Sequence, residues 1–134
     1  MIVDSSALIA FSSREPGWES ISKALLTGEA ASISSVTWLE TSIVLSGDRY
    51  RFTPEQLGTL FRLTRMAMID FTSQHTYAAI DAYRRYGRGN HPARLNFGDC
   101  SSYATAVLAG EPLLYVGDDF AQTDIESALP SKTK

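Results

Sequence analysis

Short apolar runs alternate with stretches of helical periodicity along this chain, and their order predicts its architecture. Residues 1–3 are apolar, too few to alternate, and read as a buried strand. A helix over 5–11 follows, capped by Asp4 or by a serine. Residues 16–26 place Trp18, Ile21, Ala24 and Leu25 on one side of a helix that Gly28 closes. Residues 31–34 predict a second strand, and 36–45 a helix with Ser35 as its cap and Gly47 at its end. The clearest helix start is Phe52-Thr53-Pro54-Glu55-Gln56-Leu57. Thr53 caps it, Pro54 suits the first turn, Gln56 completes a capping box and Phe52 can staple onto Leu57. That helix runs to about Arg65 and buries Leu57, Leu60, Phe61 and Met66. A short strand over 68–71 precedes a helix that Ser73 opens and Gly87 stops, running through Tyr77, Ile80 and Tyr83. A loop with glycine and proline covers 87–98, a helix spans 99–109 up to Gly110, and 113–116 form the last strand, with a frayed tail after Pro130. Strands separated by helices, with helical pairs inserted, imply one parallel sheet covered on both faces.

Composition narrows the class. The 134 residues suit one domain with one core, and 44% apolar with 20% charged residues is too apolar for disorder and too charged for a membrane protein. The net charge of −3 does not advertise a nucleic-acid binder, although an acidic cluster biases that sum while a basic rim coexists with it. Nine arginines against three lysines favour bidentate and stacking contacts with phosphates and bases, or equally reflect a GC-rich genome. Cys100 is the only cysteine, so an intramolecular disulfide is excluded, a reducing compartment is expected, and the thiol reads as a small buried side chain. No run reaches the roughly 18 apolar residues of a membrane span, and Asp4 argues against a signal peptide starting at Met1. The expected location is cytoplasmic.

The chemistry lies in acidic residues at the ends of these elements. Asp4 follows the first strand, Asp118 and Asp119 follow the last, Asp99 opens a helix, and Glu40 lies within one. Each has an ordinary explanation. Asp4 and Asp99 suit helix caps worth about 1 kcal/mol, Glu40 three residues after Thr37 suits a capping box, and Asp118-Asp119 suit a turn. Together they have a different meaning. If the first and last strands are parallel neighbours, their carboxylates meet beyond the strand C-termini, where open α/β sheets bind ligands. Two carboxylates about 4 Å apart repel by roughly 4 kcal/mol at an effective dielectric near 20, so a group of them calls for a divalent cation or a shared proton. A cation held there can acidify a water and steady charge on a phosphodiester. No G-x-S-x-G elbow, Walker A loop or Cys–His arrangement competes.

Four stretches make the chain resemble the PIN-domain ribonucleases, and within them the VapC toxins of bacterial type II toxin–antitoxin pairs. They are Ile2-Val3-Asp4-Ser5-Ser6-Ala7-Leu8, Trp38-Leu39-Glu40-Thr41, the long run from Tyr86 to Cys100, and Gly117-Asp118-Asp119-Phe120-Ala121-Gln122-Thr123-Asp124-Ile125. The resemblance covers nearly the whole chain and implies a single domain over 1–134, a three-layer α/β/α sandwich with a short parallel sheet. It implies an endoribonuclease dependent on Mg²⁺, with Mn²⁺ as a substitute, neutralised by a small VapB-type antitoxin and paired as a homodimer. Asp4, Glu40, Asp99 and Asp119 then match the family's acidic site, with Asp4, Asp99 and Asp119 as metal ligands. Asp118 remains the alternative to Asp119, since other branches carry the acid further from the phenylalanine. Ser5 and Ser6 match the small hydroxyl residue after the first aspartate, which holds a water or phosphate.

Residues 84–98 carry Arg84, Arg85, Arg88 and Arg94 with His91 and no acid. Arg85, Arg88, His91 and Arg94 are the candidate RNA contacts, with Tyr83 and Tyr86 as stacking partners; helix-end cations that suit the dipole are the plain alternative for Arg84 and Arg85. Trp18, Trp38, Leu39, Ile43, Leu60 and Phe61 offer more apolar bulk than a small sheet must bury, so part of that surface is a candidate interface. Two rivals remain. In a haloacid-dehalogenase-like phosphohydrolase Asp4 would be the nucleophile, but the required second aspartate is replaced by Ser6 and a suitably placed lysine is missing. The other is a catalytically inactive RNA-binding module of the same fold.

Overall fold

In the computed structural model, which describes residues 1–130, two-residue and three-residue strands build the centre of the molecule. β1 (Ile2–Val3), β2 (Ser32–Ser34), β3 (Ala67–Ile69) and β4 (Leu113–Leu114) form one parallel sheet in the order β3-β2-β1-β4. The chain steps outward from β1 to β2 to β3, then returns to the other side of β1. That reversal makes the β1/β4 crevice a topological switch point. The expected adjacency of the first and last strands holds, with Ile2 facing Leu113 and Val3 facing Leu114.

Alternation along even these short strands sorts side chains to the two faces. Val3, Ile33 and Leu114 join Ala7, Leu8, Ile21 and Leu25 on one side, where Trp38 and Phe61 pack with their ring centroids 5.0 Å apart. Ile2 and Leu113 join Ala82, Leu95, Cys100, Tyr103, Ala106 and Phe120 on the other. The first face is covered by α1 (Ser5–Ser13), α2 (Trp18–Thr27), α4 (Pro54–Leu63) and part of α3 (Ser35–Ser46). The second is covered by α5 (Ser73–Tyr86) and α6 (Phe97–Ala109), which pack on each other. Cys100 is buried, and burial pushes its thiol up to about 11, so it serves packing rather than reactivity.

Most predicted ends hold. Thr53 and Gln56 make the capping box that the sequence announces. Several boundaries shift for identifiable reasons. α2 begins at Trp18, because Gly17 adopts a left-handed φ of 93°. The cap of α3 is Ser34, whose Oγ accepts from the Val36 amide, and this frees the Ser35 hydroxyl to accept from the Phe71 amide. α6 begins at Phe97 with Asn96 as its cap, so Asp99 sits in the first turn rather than at its boundary. β4 stops at Leu114 because the Val116 amide is taken by Ser6 Oγ instead of a strand partner. Two features were not anticipated: a 3-10 turn over Phe120–Gln122, and a further parallel bridge from Leu113 to Ser127. The expected fraying falls partly on residues 131–134, outside the described part of the chain. Among the described residues no helix is long and apolar enough to cross a membrane.

Candidate active site

Asp4 leaves β1 at the switch point and is only 2% exposed. Its backbone amide donates to the Leu114 carbonyl (3.0 Å), which fixes it against the end of β4. Its carboxylate is satisfied from three directions. Oδ2 accepts from the Ser6 amide (3.0 Å) and the Ser6 hydroxyl (2.6 Å), and Oδ1 accepts from the Ser102 hydroxyl of α6 (2.6 Å). Asp4 is therefore the cap of α1, as its sequence context suggests, and is also locked between α1 and α6. A buried carboxylate held this way has a fixed position and its oxygens are not left without partners. Ser6 serves as more than a neighbour, since the same Oγ accepts from the Val116 amide and so joins the ends of β1 and β4.

α6 brings the second acid. Asp99 and Asn96 bond reciprocally: the Asp99 amide donates to Asn96 Oδ1 (2.9 Å) and the Asn96 amide donates to Asp99 Oδ2 (3.1 Å). Burial pushes the Asp99 carboxyl up to about 6 against the pull of that Asn96 bond, and the charges of Asp4, Asp119 and Glu40 push the same way. Those three acids are thus within electrostatic reach of Asp99.

Glu40 comes from α3 and lies directly over Gly98. A Cβ added to that glycine would fall on Glu40 Oε2, its nearest neighbour, and sit 2.6 Å from Glu40 Cδ and Oε1. Burial raises the Glu40 carboxyl above its ordinary value, the Ser5 hydroxyl lowers it and Asp4 raises it. Its Oε1 is buried without a hydrogen-bond partner. Glu40 is not half of a capping box, because Thr37 is buried inside α3, its hydroxyl near Ser101 (3.4 Å) and Ser102 (3.2 Å). Asp118 and Asp119 are both exposed on the turn after Gly117. Ser102, Gly98 and Asn96 were missed in the sequence. Only the position of Gly98, directly before Asp99, offered a signal.

The donor set suits a hard cation. It consists of carboxylate oxygens and serine hydroxyls, and it includes a buried oxygen lacking any partner. Among the described residues no three Asp, Glu, His or Cys side chains converge closely enough to enclose an ion alone. Mg²⁺ retains several waters and is commonly held by one or two carboxylates, so this open arrangement fits it.

The basic segment divides. Arg85 is engaged, donating to Asp124 Oδ2 (3.2 Å), the Tyr86 hydroxyl (3.0 Å) and the Tyr103 hydroxyl (3.4 Å), with its guanidinium 4.9 Å from the Tyr86 ring centroid. His91 is folded into its own loop. Its Nδ1 accepts from the Ala93 amide (3.0 Å) and its ring meets Tyr86 edge-on at 5.0 Å. Arg88 and Arg94 are exposed, on a loop closed by backbone bonds from Arg88 N to Leu95 O and from Leu95 N to Tyr86 O. Of the surplus apolar residues, Leu60 is buried, whereas Leu39 and Ile43 are exposed on α3. Tyr77, Ile80 and Tyr83 are exposed on α5, and Phe97 is 81% exposed beside Asp99.

The family model of the PIN domain matches this chain over residues 1–126. The ribonuclease VapC30 of Mycobacterium tuberculosis is 40% identical over 134 residues, spanning 97% of this chain and 100% of the relative. Among solved structures, M. tuberculosis VapC20, described as a toxin that cleaves the sarcin–ricin loop, superposes with a TM-score of 0.75 at 15% identity over 96% of this chain and 98% of that one. A toxin–antitoxin complex from Klebsiella pneumoniae gives 0.67 at 21% identity, with 92% of each chain covered. The chain belongs to the PIN-domain family, in its VapC branch.

Proposed function

We propose that this chain is the toxin of a toxin–antitoxin pair, an endoribonuclease that hydrolyses phosphodiesters at the β1/β4 switch point with Mg²⁺, or Mn²⁺ in its place. The observation that carries the reading is geometric: Ser102 of α6 bonds Asp4 at the end of β1 and Glu40 lies over Gly98, which brings Asp4, Glu40 and Asp99 to one edge of the sheet. Asp4, Asp99 and Asp119 are the residues to hold the ion, with Asp118 one position away as the alternative. When bound, the ion supplies positive charge against the phosphate and acidifies water.

The chain's own groups do the rest. Ser6 and Ser102 keep Asp4 immobile, so its carboxylate needs no reorganisation as charge develops. Glu40 offers Oε1, free of partners, to accept a hydrogen bond and then a proton from the attacking water. Its raised affinity for protons brings it closer to the operating pH than an ordinary glutamate. Arg88 and Arg94, free on their loop, can draw the RNA backbone towards an otherwise acidic centre, while Arg85 and His91 act mainly through the scaffold. A VapB-type antitoxin as partner is supported by the likeness to the Klebsiella complex. The exposed apolar side chains of α3 and α5 support a homodimer.

The phosphohydrolase alternative loses ground. Ser6 stands where it needs a second aspartate, and Lys23, the only lysine among the described residues, lines a groove with Met1 and Pro112 at the opposite edge of the sheet. The test is direct. Purified protein with Mg²⁺ should cut a single-stranded oligoribonucleotide, and Asp4→Asn should abolish cutting while retaining the circular dichroism spectrum. Hydrolysis of phosphomonoesters without RNA cleavage would refute the reading; RNA binding without cleavage would favour the inactive module.

A further inference from the structure

Asp119 sits on an exposed turn three residues past Val116, whose amide Ser6 ties to the end of β1 beside Asp4, so it can face this edge of the sheet only if the turn is held in place. The segment leaves β4 through Gly117, whose φ of 104° permits a sharp departure, and then coils tightly. Gln122 N donates to Asp119 O (3.3 Å), Thr123 N to Phe120 O (3.0 Å) and Ile125 N to Thr123 Oγ1 (3.2 Å). Phe120 anchors this unit in the core. Further on, Ile125 packs on the same core and Leu113 bonds Glu126 and Ala128 through its backbone; between these points a side-chain anchor lies five residues beyond Asp119. There Asp124 Oδ1 accepts from the hydroxyl of Tyr103, which is 3% exposed, and Oδ2 accepts from Arg85.

Tyr103 stands four residues after Asp99 on α6, one turn along the same helix face. Ser102, beside it, holds Asp4. One helix therefore carries an acid of the site and, from adjacent residues, a bond to the β1 end and a bond to the segment after β4. We infer that Tyr103, Asp124 and Arg85 form a latch that registers the Asp119 turn against Asp99, making Tyr103 and Asp124 positioning residues for the RNA cleavage proposed above. The inference rests on that reading of the site. It accounts for Asp124, which the proposed chemistry leaves unused, and for the engagement of Arg85 away from the free arginines.

Positioning and fold stability separate here. The Asp124 and Arg85 side chains are 58% and 47% exposed, and an ion pair so open to water adds little to stability. Tyr103→Phe keeps the buried ring and removes only the latch hydroxyl. With a short single-stranded oligoribonucleotide at saturating Mg²⁺, Tyr103→Phe should lower kcat at least tenfold, leave KM within twofold and leave Tm within a few degrees. Asp124→Ala should match it, and Asp124→Asn, whose amide oxygen can still accept from Tyr103, should recover most of that loss. Adding Tyr103→Phe to Asp119→Asn should cost less than twofold more. Hydrogen exchange at the Gln122, Thr123 and Ile125 amides should quicken in Tyr103→Phe. Wild-type kcat in both Tyr103→Phe and Asp124→Ala, or an Asp124→Asn as slow as Asp124→Ala, would overturn the latch. If the wild-type protein cuts no RNA, the ribonuclease reading fails on its own, and the exchange rates decide the latch: quickened exchange supports it and unchanged exchange rejects it.

Discussion

Replacing Gly98 with alanine should separate activity from stability. The glycine lies in the first turn of α6, where its backbone is helical and an alanine is locally welcome; the exchange stabilises a helix by about 0.5–1 kcal/mol. The new methyl, however, would sit 2.6 Å from Glu40 Cδ and Oε1. Carbon contacts are comfortable only near about 3.5–4.0 Å, so the carboxylate must retreat by roughly 1 Å. It is the end of a flexible side chain and can move, which also relieves the burial and the Asp4 repulsion that raise its pKa. Misplacing a reacting group by about 1 Å costs on the order of 10²-fold in rate, equivalent to about 2.7 kcal/mol of barrier. Gly98→Ala should therefore lose about 100-fold in kcat/KM on a fluorogenic single-stranded RNA while Tm holds or rises by about 3 °C in differential scanning fluorimetry. Gly28→Ala is the contrast. Its methyl would run into the Ala24 carbonyl, backbone that cannot yield, so Tm should fall while the site stays untouched. A folded Gly98→Ala that cuts at the wild-type rate would refute the placement of Glu40 in the chemistry.

Asp99→Asn should stabilise the metal-free protein above pH 6. The folded carboxyl titrates near 6 against 3.8 for the ordinary group, so the native state binds the proton more tightly and stability falls as pH rises between those values. The full cost, at most about 3 kcal/mol before solvent screening reduces it, is present at pH 7.5 and absent below pH 4; urea melts at both pH values would show an advantage for the variant only at the higher. Ser6→Ala should cost about 1–3 kcal/mol in the same assay, because it leaves the Val116 amide without its acceptor and removes one donor from Asp4. An unchanged melt would mean that the junction of β1 and β4 does not depend on this hydroxyl. Arg88→Ala and Arg94→Ala should each weaken single-stranded RNA binding and reduce the slope of log K against log salt by about 0.7, read by fluorescence anisotropy; Arg85→Ala should change that slope less, since its charge is paired with Asp124.

What the sequence could reveal followed from how local each cause is. The Thr53–Gln56 box spans four residues, and the stops at Gly28, Gly47 and Gly87 are single-residue signals, so those elements were readable directly. The place of Asp4 at the meeting of β1 and β4 was readable because strand order fixes which strand ends are neighbours. Other features depend on partners far along the chain. Val116 leaves the sheet because of Ser6, 110 residues earlier, and Ser102 reaches Asp4 across 98 residues. Gly98 matters because Glu40 descends on it from another helix. His91 and Arg85 read as candidate RNA contacts in the sequence, with a plain helix-end role as the alternative for Arg85, yet tertiary contacts give both a structural occupation. No pattern within a window of neighbours carries such information.

The central claim is that acids from β1, α6 and the turn after β4 together hold a divalent cation. Anomalous scattering from crystals soaked in Mn²⁺ tests it most directly. A peak within coordination distance of Asp4, Asp99 and Asp119, lost in Asp99→Asn crystals, is the predicted result. An occupied manganese elsewhere with this crevice empty, or a peak that persists without Asp99, would contradict it.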